Sequence, residues 1–336
     1  MKKNIIKKIL GLAAAVFMTV AVTAGCSGSG NKKEGYTVGV IQYGSHSSLD
    51  NCYQGIKEAL EASDKAETIT VDLQNGNFDS STCDTIAKNM VARKYDMIIA
   101  IATPAAVSAY AAAVNSNIPV IFCAVSDPVQ AQLVDDVTKP GRNCTGTSDV
   151  LPLESQLELI TTLQPEVRNI GILYTTSEAN SVSQLKTIKE LAPAYHVNIV
   201  EQGVQTAADI PQAIASLLPK VDCVNNFTDN NVVNNLTVLL EQAEAAGKTV
   251  YGSEVEQVKK GCVASVSIDY VALGRTTGDM ALEVLGGADP AEMAVRQISQ
   301  GTPVINTDIV ARLKLNIPES YKDAELVVTA TEESEQ

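Results

Sequence analysis

Residues 96–128 read DMIIAIATPAAVSAYAAAVNSNIPVIFCAVSDP, and this run carries a clear signal of fold. Residues 96–102 and 118–123 are apolar runs of strand length, and residues 105–114 between them are rich in alanine, as a helix would be. Polar residues follow each apolar run, so the order is strand, polar stop, helix, strand, polar stop. That order predicts a βαβ unit with two parallel strands.

The helix of this unit begins directly at the end of the first strand. Thr103 is a suitable N-cap residue, and Pro104 stands at the first helical position, where its missing N–H costs nothing. Ligands of open α/β sheets bind at the carboxyl ends of the strands, and a helix N-terminus there favours an anionic group such as a carboxylate. Thr103, Pro104 and Ala105 are therefore candidate ligand contacts. Ser126 and Asp127 are candidates after the second strand, although a plain helix cap and a plain turn remain the alternatives.

The first 25 residues have the pattern of a bacterial lipoprotein signal peptide. Four lysines stand near the start, residues 9–24 are apolar but short for a membrane span, and small residues precede Cys26 in a sequence that resembles the lipobox. We expect Cys26 to carry the lipid and residues 26–35 to form a tether, with an ordinary cleaved signal as the alternative. The mature chain would then sit at the extracytoplasmic face of the cell membrane.

Charge and cysteine spacing exclude several classes of partner. Removing the four lysines of the signal takes the formal net charge from −14 to −18, which argues against nucleic-acid binding. Six cysteines follow Cys26, and none has the spacing of a zinc or redox motif, so we predict no metal site. These cysteines are best interpreted as buried thiols; a disulfide stays open, with Cys123–Cys144 as the first pair to consider.

The alternation of strand and helix runs twice along the chain, once on each side of about residue 149. Such alternation predicts parallel sheets with helices on both faces, and hence two doubly wound α/β lobes. The residues at the expected carboxyl ends of the strands are mostly polar, small or acidic, so two such edges would enclose a polar ligand cleft. The candidate contacts from these loops, beyond those named above, are Tyr43, His46, Asn180, Ser181, Thr228, Asp229, Asn230, Glu254 and Asp269.

Several motifs resemble those of bacterial lipid-anchored solute-binding proteins, the group that includes tryptophan- and tyrosine-binding components of ABC importers. The motifs are AIATPAA at 100–106, AVSDPV at 124–129, TGTSD at 145–149, SEANS at 177–181, TDN at 228–230 and IDY at 268–270. The resemblance covers almost the whole mature chain and implies a type I periplasmic-binding-protein fold. It implies one lobe from residues 36–149 and 273–303, a second from 150–272 and 304–336, and permease and ATPase subunits as partners.

The same resemblance suggests a small amino-acid-like ligand, with an aromatic side chain favoured. Thr103 suits its carboxylate, with Ser126 and Ser181 as neighbours. The candidate partners of its ammonium are Asp229, Glu254 and Asp269, and the candidate aromatic walls are Tyr43, Phe122, Phe227 and Tyr270. One position departs from the aromatic-binding relatives: they carry Glu-His-Pro after the first strand, where this chain reads Ser45-His46-Ser47, so the side chain of the ligand stays open.

The sequence does not predict an enzyme. It has two histidines, no metal-ligand spacing, no G-x-S-x-G and no glycine-rich phosphate loop, so we expect neither catalytic residues nor a cofactor. A sugar- or nucleoside-binding protein of the same fold and a subunit that presents ligand to a membrane receptor remain the alternatives. The lack of tryptophan counts modestly against a sugar site.

Overall fold

Strands and helices alternate from Tyr36 onward in the computed structural model, which describes residues 35–298 and 301–330. The expected signal peptide 1–25, Cys26 and nearly all of the tether 26–35 lie outside the described residues. The first elements are β1 (Tyr36–Gln42), α1 (Ser47–Glu61), β2 (Ile69–Asn75), α2 (Ser80–Ala92), β3 (Met97–Ile101), α3 (Thr103–Ala113), β4 (Val120–Cys123), β5 (Cys144–Ser148) and α4 (Leu153–Leu163). The later elements are β6 (Asn169–Thr175), α5 (Ala179–Leu191), β7 (Asn198–Val204), α6 (Ile210–Leu217), β8 (Cys223–Asn225), α7 (Asn230–Asn234), α8 (Leu236–Ala245), β9 (Thr249–Tyr251), α9 (Val255–Lys260), β10 (Ala264–Ser267), α10 (Tyr270–Leu285), β11 (Arg296–Gln297), β12 (Thr302–Asn306), α11 (Thr307–Leu313) and β13 (Glu325–Val327).

The first sheet has six strands in the order β11-β5-β4-β3-β1-β2. All neighbouring strands run parallel, so their carboxyl ends meet at one edge of the sheet. Strands β3 and β4 are buried along their whole length, which explains why their sequences are continuous apolar runs. The strand order reverses between β1 and β3, and the loops after these two strands open a crevice of the kind that holds ligands in α/β folds.

The second sheet has four parallel strands in the order β7-β6-β8-β9. Its order reverses between β6 and β8, so the loops after these strands form the equivalent crevice. The predicted fold class, α/β with doubly wound parallel sheets, is confirmed by the two sheets.

A third sheet is not predicted by the local alternation of strand and helix. It has the order β10-β12-β13, with β10 antiparallel to β12 and β12 parallel to β13. The alternation of strand and helix predicts parallel strands, and the structure instead pairs β10 antiparallel with β12, which follows α10. The partner strand comes from a distant part of the chain, which the pattern of residues around β10 does not reveal.

Helix α10 packs closely against α1 of the first sheet. The close approach depends on glycine, because a Cβ at Gly274 would collide with the carbonyl oxygen of Cys52, and one at Gly55 with that of Val271. The packing places Tyr270, the first residue of α10, at the carboxyl edge of the first sheet. The described residues from Gly35 onward form one compact unit, and the division into lobes 36–149 plus 273–303 and 150–272 plus 304–336 stays a prediction.

The cysteines and the helices limit what else this fold can hold. The six described cysteines are buried free thiols, so the suggested Cys123–Cys144 disulfide is wrong. Within residues 35–298 and 301–330, no helix combines the length and the apolar character needed to cross a membrane. No three His, Cys, Asp or Glu side chains of the described chain come together in a way that would hold a metal ion.

Candidate ligand-binding pocket

A pocket lies between the carboxyl edges of the two parallel sheets, and about 340 Å³ of space in the pocket and its open mouth together is not filled by protein atoms. Loops of the first sheet and the start of α10 line one side, and loops of the second sheet line the other. The lining residues are His46, Ser48, Leu49, Ala102, Thr103, Ala124, Ser126, Asp149, Asn180, Thr228, Asn230, Val233 and Tyr270. The structure thus brings together six of the candidate polar contacts and one of the candidate aromatic walls, namely His46, Thr103, Ser126, Asn180, Thr228, Asn230 and Tyr270.

The backbone passes into helix α3 through a strained residue in the pocket wall. Ala102 has φ 79° and ψ 153°, a conformation that residues other than glycine rarely adopt. Its N–H donates to the carbonyl oxygen of Cys123 at 2.9 Å, which holds it beside β4. Ala102 takes the N-cap position and Thr103 begins the helix, so the expectation that Thr103 is the N-cap is wrong. Strain of this kind costs about 1–3 kcal/mol and is concentrated at functional sites.

The hydroxyl of Thr103 has no partner within the described protein. The residue is 3% exposed, its Oγ1 accepts and donates no hydrogen bond, and it lines the pocket at the N-terminus of α3. That end of a helix carries partial positive charge and favours an anion. Pro104 is the second residue of α3, one position later than predicted, and neither Pro104 nor Ala105 lines the pocket.

Asp149 is the acid of the pocket wall, and sequence reasoning did not select it. It is 3% exposed, and its carboxylate accepts hydrogen bonds from Ser126 Oγ at 3.0 Å and from Tyr270 OH at 2.9 Å. Burial raises the pKa of Asp149 to about 6. An available signal was its position directly after β5, in the loop where the other candidates were sought.

Asp269 does not line the pocket. The expectation that its side chain is buried is wrong. Its side chain is exposed and accepts the N–H of Ala272 at 2.9 Å, which makes it the N-cap of α10. The next residue, Tyr270, turns inward and is the only one of the four proposed aromatic walls among the lining residues. Phe122 and Phe227 are fully buried in the core.

Two other proposed acids are used by the protein itself. Asp229 accepts from Thr175 N at 2.6 Å, Thr175 Oγ1 at 2.8 Å, Ser181 Oγ at 2.7 Å and Val232 N at 3.0 Å, so it caps α7 behind the pocket. Glu254 accepts the N–H groups that open α9 and lies outside the pocket. In this structure Asp229 and Glu254 cap helices, Ser181 donates to Asp229, and none of the three lines the pocket.

Glu178 holds the two asparagines of the second sheet's side. Its carboxylate accepts from Asn230 Nδ2 at 2.7 Å and from Asn180 Nδ2 at 3.1 Å, and it also accepts the backbone N–H groups of Asn230 and Asn231. Burial, and then the nearby charge of Asp229, raises the pKa of Glu178 to about 8. The sequence motif SEANS contains this residue, but its acid was not singled out.

His46 lies at the pocket as a neutral imidazole. Its ring stacks on Phe78 with centroids 6.1 Å apart, and burial lowers its pKa to about 4. Its Nε2 is 3.3 Å from Asn230 Oδ1, and its buried Nδ1 has no partner. Tyr43 packs its ring edge-to-face against Phe78 and donates its hydroxyl to the carbonyl oxygen of Phe78 at 3.0 Å. Tyr43 does not line the pocket.

Side-chain hydrogen bonds from helix α5 reach the loop after β4 on the other side of the pocket. Ser183 Oγ donates to Asp127 Oδ2 at 2.7 Å, so Asp127 links the two sides instead of lining the pocket. Gln184 Nε2 donates to Ser126 Oγ at 3.1 Å and to Thr228 Oγ1 at 3.0 Å.

Buried polar atoms without partners gather at this place. Among the described residues six side chains have such an atom, and three of them, His46, Thr103 and Asn180, line the pocket. A fourth, Gln184, bonds to two lining residues. Buried polar groups are nearly always hydrogen-bonded in native proteins, so this concentration indicates a site that receives a polar ligand.

Comparison with known proteins agrees with a binding role. The family model for ABC transporter substrate binding protein matches residues 37–332. A tyrosine-binding protein of Clostridioides difficile (strain R20291) is 36% identical over 324 residues, which cover 92% of this chain and 93% of that protein.

Two solved structures of substrate-binding proteins are similar to this chain. An ABC domain from Streptococcus pneumonia in complex with L-Trp is 36% identical, with a TM-score of 0.84 over 87% of this chain and 100% of that one. A ligand-free, open substrate-binding protein from Clostridium difficile is 35% identical, with a TM-score of 0.67 over 88% of this chain and 100% of that one. The fold, the polar pocket and these similarities agree, and the chain belongs to the ABC transporter substrate-binding protein family.

Proposed function

We propose that the chain binds a zwitterionic amino acid, with an aromatic side chain favoured, in the pocket between its two parallel sheets. The observation that carries the proposal is the pairing of a buried carboxylate, Asp149, with the unpartnered hydroxyl of Thr103 in the same pocket. The first can neutralise an ammonium group and the second can donate to a carboxylate.

The charges of the pocket favour a ligand of that kind. The N-terminus of α3 offers partial positive charge for the carboxylate, and Asp149 offers a full negative charge for the ammonium. None of the described lining residues is lysine or arginine, so a ligand with excess negative charge would find no full positive partner. A buried acid without a cationic partner is costly, and an ammonium would remove that cost.

Apolar groups line part of the pocket and would contact the side chain of the ligand. The pocket is lined by Leu49, Val233 and the ring of Tyr270. The ring of His46 also lines it and lies nearly parallel to the ring of Phe78, on which it stacks. Two of the three relatives named above support an aromatic ligand, since one is a tyrosine-binding protein and another is in complex with L-Trp. Ser45 and Ser47 stand where aromatic-binding relatives carry Glu and Pro, so we leave the preferred side chain open between Tyr, Trp and smaller amino acids.

The test is a thermal-shift screen of the purified protein against the twenty amino acids, nucleosides and sugars, followed by calorimetric titration of each hit. A ligand that binds only the folded protein stabilises it, by about 2.7 kcal/mol when the ligand concentration is 100 times Kd. The melting temperature therefore rises. We expect L-tyrosine or L-tryptophan to raise it. A response confined to sugars or nucleosides would contradict the proposal.

We propose further that the protein works outside the cytoplasm, anchored by a lipid on Cys26, and delivers its ligand to permease and ATPase subunits. The support is the signal-like N-terminal sequence together with the family. Cys26→Ala should release the protein into the medium, because no other lipid attachment is expected, and fractionation with immunoblotting measures this. Ser27→Ala is the control and should stay with the membrane; equal membrane retention of both variants would contradict the anchor.

A further inference from the structure

We infer that Glu178 is a positioning residue that makes the pocket selective for ligands with an ammonium group. It turns the amide groups of Asn180 and Asn230 so that their oxygens face the ligand. The inference deepens the proposed function and rests on it, since it assumes that an amino acid occupies this pocket.

Four N–H groups converge on the Glu178 carboxylate, which is 2% exposed. Two are side-chain amides, Asn230 Nδ2 at 2.7 Å and Asn180 Nδ2 at 3.1 Å. Two are backbone groups at the start of α7, Asn230 N at 3.1 Å and Asn231 N at 3.2 Å. Above its raised pKa the Glu178 carboxyl is ionised and only accepts hydrogen bonds, so at such a pH the opposite orientation of either amide would place two oxygens against each other.

The orientation of the amides decides what the pocket presents. With both NH₂ groups turned to Glu178, Asn180 Oδ1 is left buried with no partner, and Asn230 Oδ1 is left near His46 Nε2 at 3.3 Å. Both asparagines line the pocket. This side of the pocket therefore presents hydrogen-bond acceptors.

Gln184 does not line the pocket but bonds to two residues that do, and it has a further buried amide oxygen. Its NH₂ group is occupied by Ser126 Oγ and Thr228 Oγ1, and its buried Oε1 has no partner. An ammonium group carries three N–H donors and matches such oxygens together with the Asp149 carboxylate. A ligand that lacks the ammonium would leave Asn180 Oδ1 unpaired, which is costly in a buried site.

A purely structural role for Glu178 is the competing explanation, because its carboxylate also accepts the first N–H groups of α7. The two roles differ in selectivity. Loss of a helix support would weaken every ligand of the pocket to a similar extent, whereas loss of amide orientation would weaken only ligands that donate hydrogen bonds from an ammonium.

The experiment compares Glu178→Gln with the wild-type protein by calorimetric titration at pH 8.5, where the carboxyl is largely ionised. The probes are two matched pairs, L-tryptophan with indole-3-propanoate and L-tyrosine with 3-(4-hydroxyphenyl)propanoate, each titrated up to millimolar concentration. The glutamine can accept the backbone N–H groups with its oxygen, and its NH₂ group then forces at least one asparagine to turn. We expect the amino acids to bind about 10- to 100-fold more weakly and the two propanoates to change by less than about 2-fold.

Glu254→Gln is the matched control, because Glu254 is also a buried helix-capping acid and lies outside the pocket. It should change neither class of probe. If Glu178→Gln does not fold, Asn180→Leu tests the same orientation. If Asn180 presents its oxygen to the ligand, this variant should weaken binding of the amino acids alone. If Asn180 presents its NH₂ group instead, the variant would weaken binding of the propanoates as well, which contradicts the inference.

The outcomes separate this inference from the proposed function. Equal weakening of amino acids and propanoates, or no weakening of the amino acids, overturns the role of Glu178 while the proposed function stands. If the wild-type protein binds neither amino acid of the two pairs, the aromatic-ligand proposal fails and takes this inference with it.

Discussion

At the scale of single residues, the placement of one acid sets the chemistry of the pocket. Asp149 is enclosed by Ser126 and Tyr270, both of which donate to it, whereas Asp269 stands exposed one residue before the inward-facing tyrosine. Two hydroxyl donors do not neutralise a buried carboxylate. A bound ammonium would supply the missing positive charge.

Asp149→Asn should therefore weaken amino-acid binding. Hydrogen bonds to charged groups contribute about 1.5–3 kcal/mol, which corresponds to roughly a 10- to 150-fold rise in Kd for L-tryptophan, measured by calorimetry. Asp269→Asn is the matched control, since it removes one carboxylate of the same type from an exposed helix cap that asparagine can also provide. Equal effects of the two substitutions would place the ammonium elsewhere.

The same residue predicts a pH dependence. The raised pKa of Asp149, about 6 in the ligand-free protein, means that the carboxyl takes up a proton as the pH falls from 7 to 5. A bound ammonium favours the ionised form and lowers that pKa, so binding releases a proton in this range and affinity falls toward acid pH. Titration at pH 5, 6 and 7 should show the fall, and Asp149→Asn should remove the part due to this group; a slope that the variant retains in full would belong to another group such as Glu178.

Thr103 offers the complementary test, because it is assigned to the carboxylate of the ligand. Thr103→Ala should weaken L-tryptophan and indole-3-propanoate alike, by roughly 10- to 150-fold, since both carry the carboxylate. Ser108→Ala, which removes a buried hydroxyl from the same helix α3 away from the pocket, is the control. An effect confined to the amino acid would contradict the assigned orientation of the ligand.

At the scale of elements, the contact between α1 and α10 carries Tyr270 to the pocket. Gly274 allows this contact because any Cβ there would meet the carbonyl of Cys52, a backbone group that cannot simply rotate away. Gly171 lies in β6, where a Cβ would meet only side-chain atoms of Leu217 and Val221 at 3.2 Å.

Gly274→Ala should thus destabilise the protein, because the two helices must separate to admit the methyl group. We expect a loss of about 1–3 kcal/mol in the free energy of unfolding, measured with urea, together with weaker ligand binding as Tyr270 shifts. Gly171→Ala is the control and should cost less, since flexible side chains can adjust. A stability for Gly274→Ala equal to wild type would show that the helices are not held this closely.

At the scale of the whole molecule, the pocket is divided between loops of two sheets, so we predict that the ligand closes them by a hinge motion. The structure has side-chain bonds across the pocket, including Ser183 to Asp127 at 2.7 Å. Small-angle scattering should give a smaller radius of gyration with L-tryptophan than without it. An unchanged radius would indicate a preformed, rigid site.

The bond between Ser183 and Asp127 should contribute to that closure. Asp127→Ala should weaken L-tryptophan binding by roughly 5-fold, since a net hydrogen bond contributes about 1 kcal/mol. Asp136→Ala, at an exposed acid whose partner is Thr138, should leave the affinity as it is.

Much of the fold follows from local pattern. The apolar runs at 96–102 and 118–123 predict two strands and the alanine-rich run at 105–114 predicts a helix, and the structure has these elements as β3, β4 and α3. Local prediction works here because the spacing of apolar residues along a short stretch of chain differs between strands and helices. The polar ends of the strands also located six of the lining residues, since parallel strands must deliver their carboxyl ends to one edge.

The tertiary structure alone decided which acids face the ligand and which cap helices. Asp149 and Asp269 look alike from the sequence, as each follows a strand, and only packing distinguishes them: Tyr270, 121 residues later in the chain, covers the first and leaves the second exposed. Glu178 likewise accepts a hydrogen bond from Asn230, 52 residues later in the chain, and this contact depends on tertiary packing. Burial and hydrogen-bond partners depend on which distant segments pack together, and no local pattern of residue types contains that information.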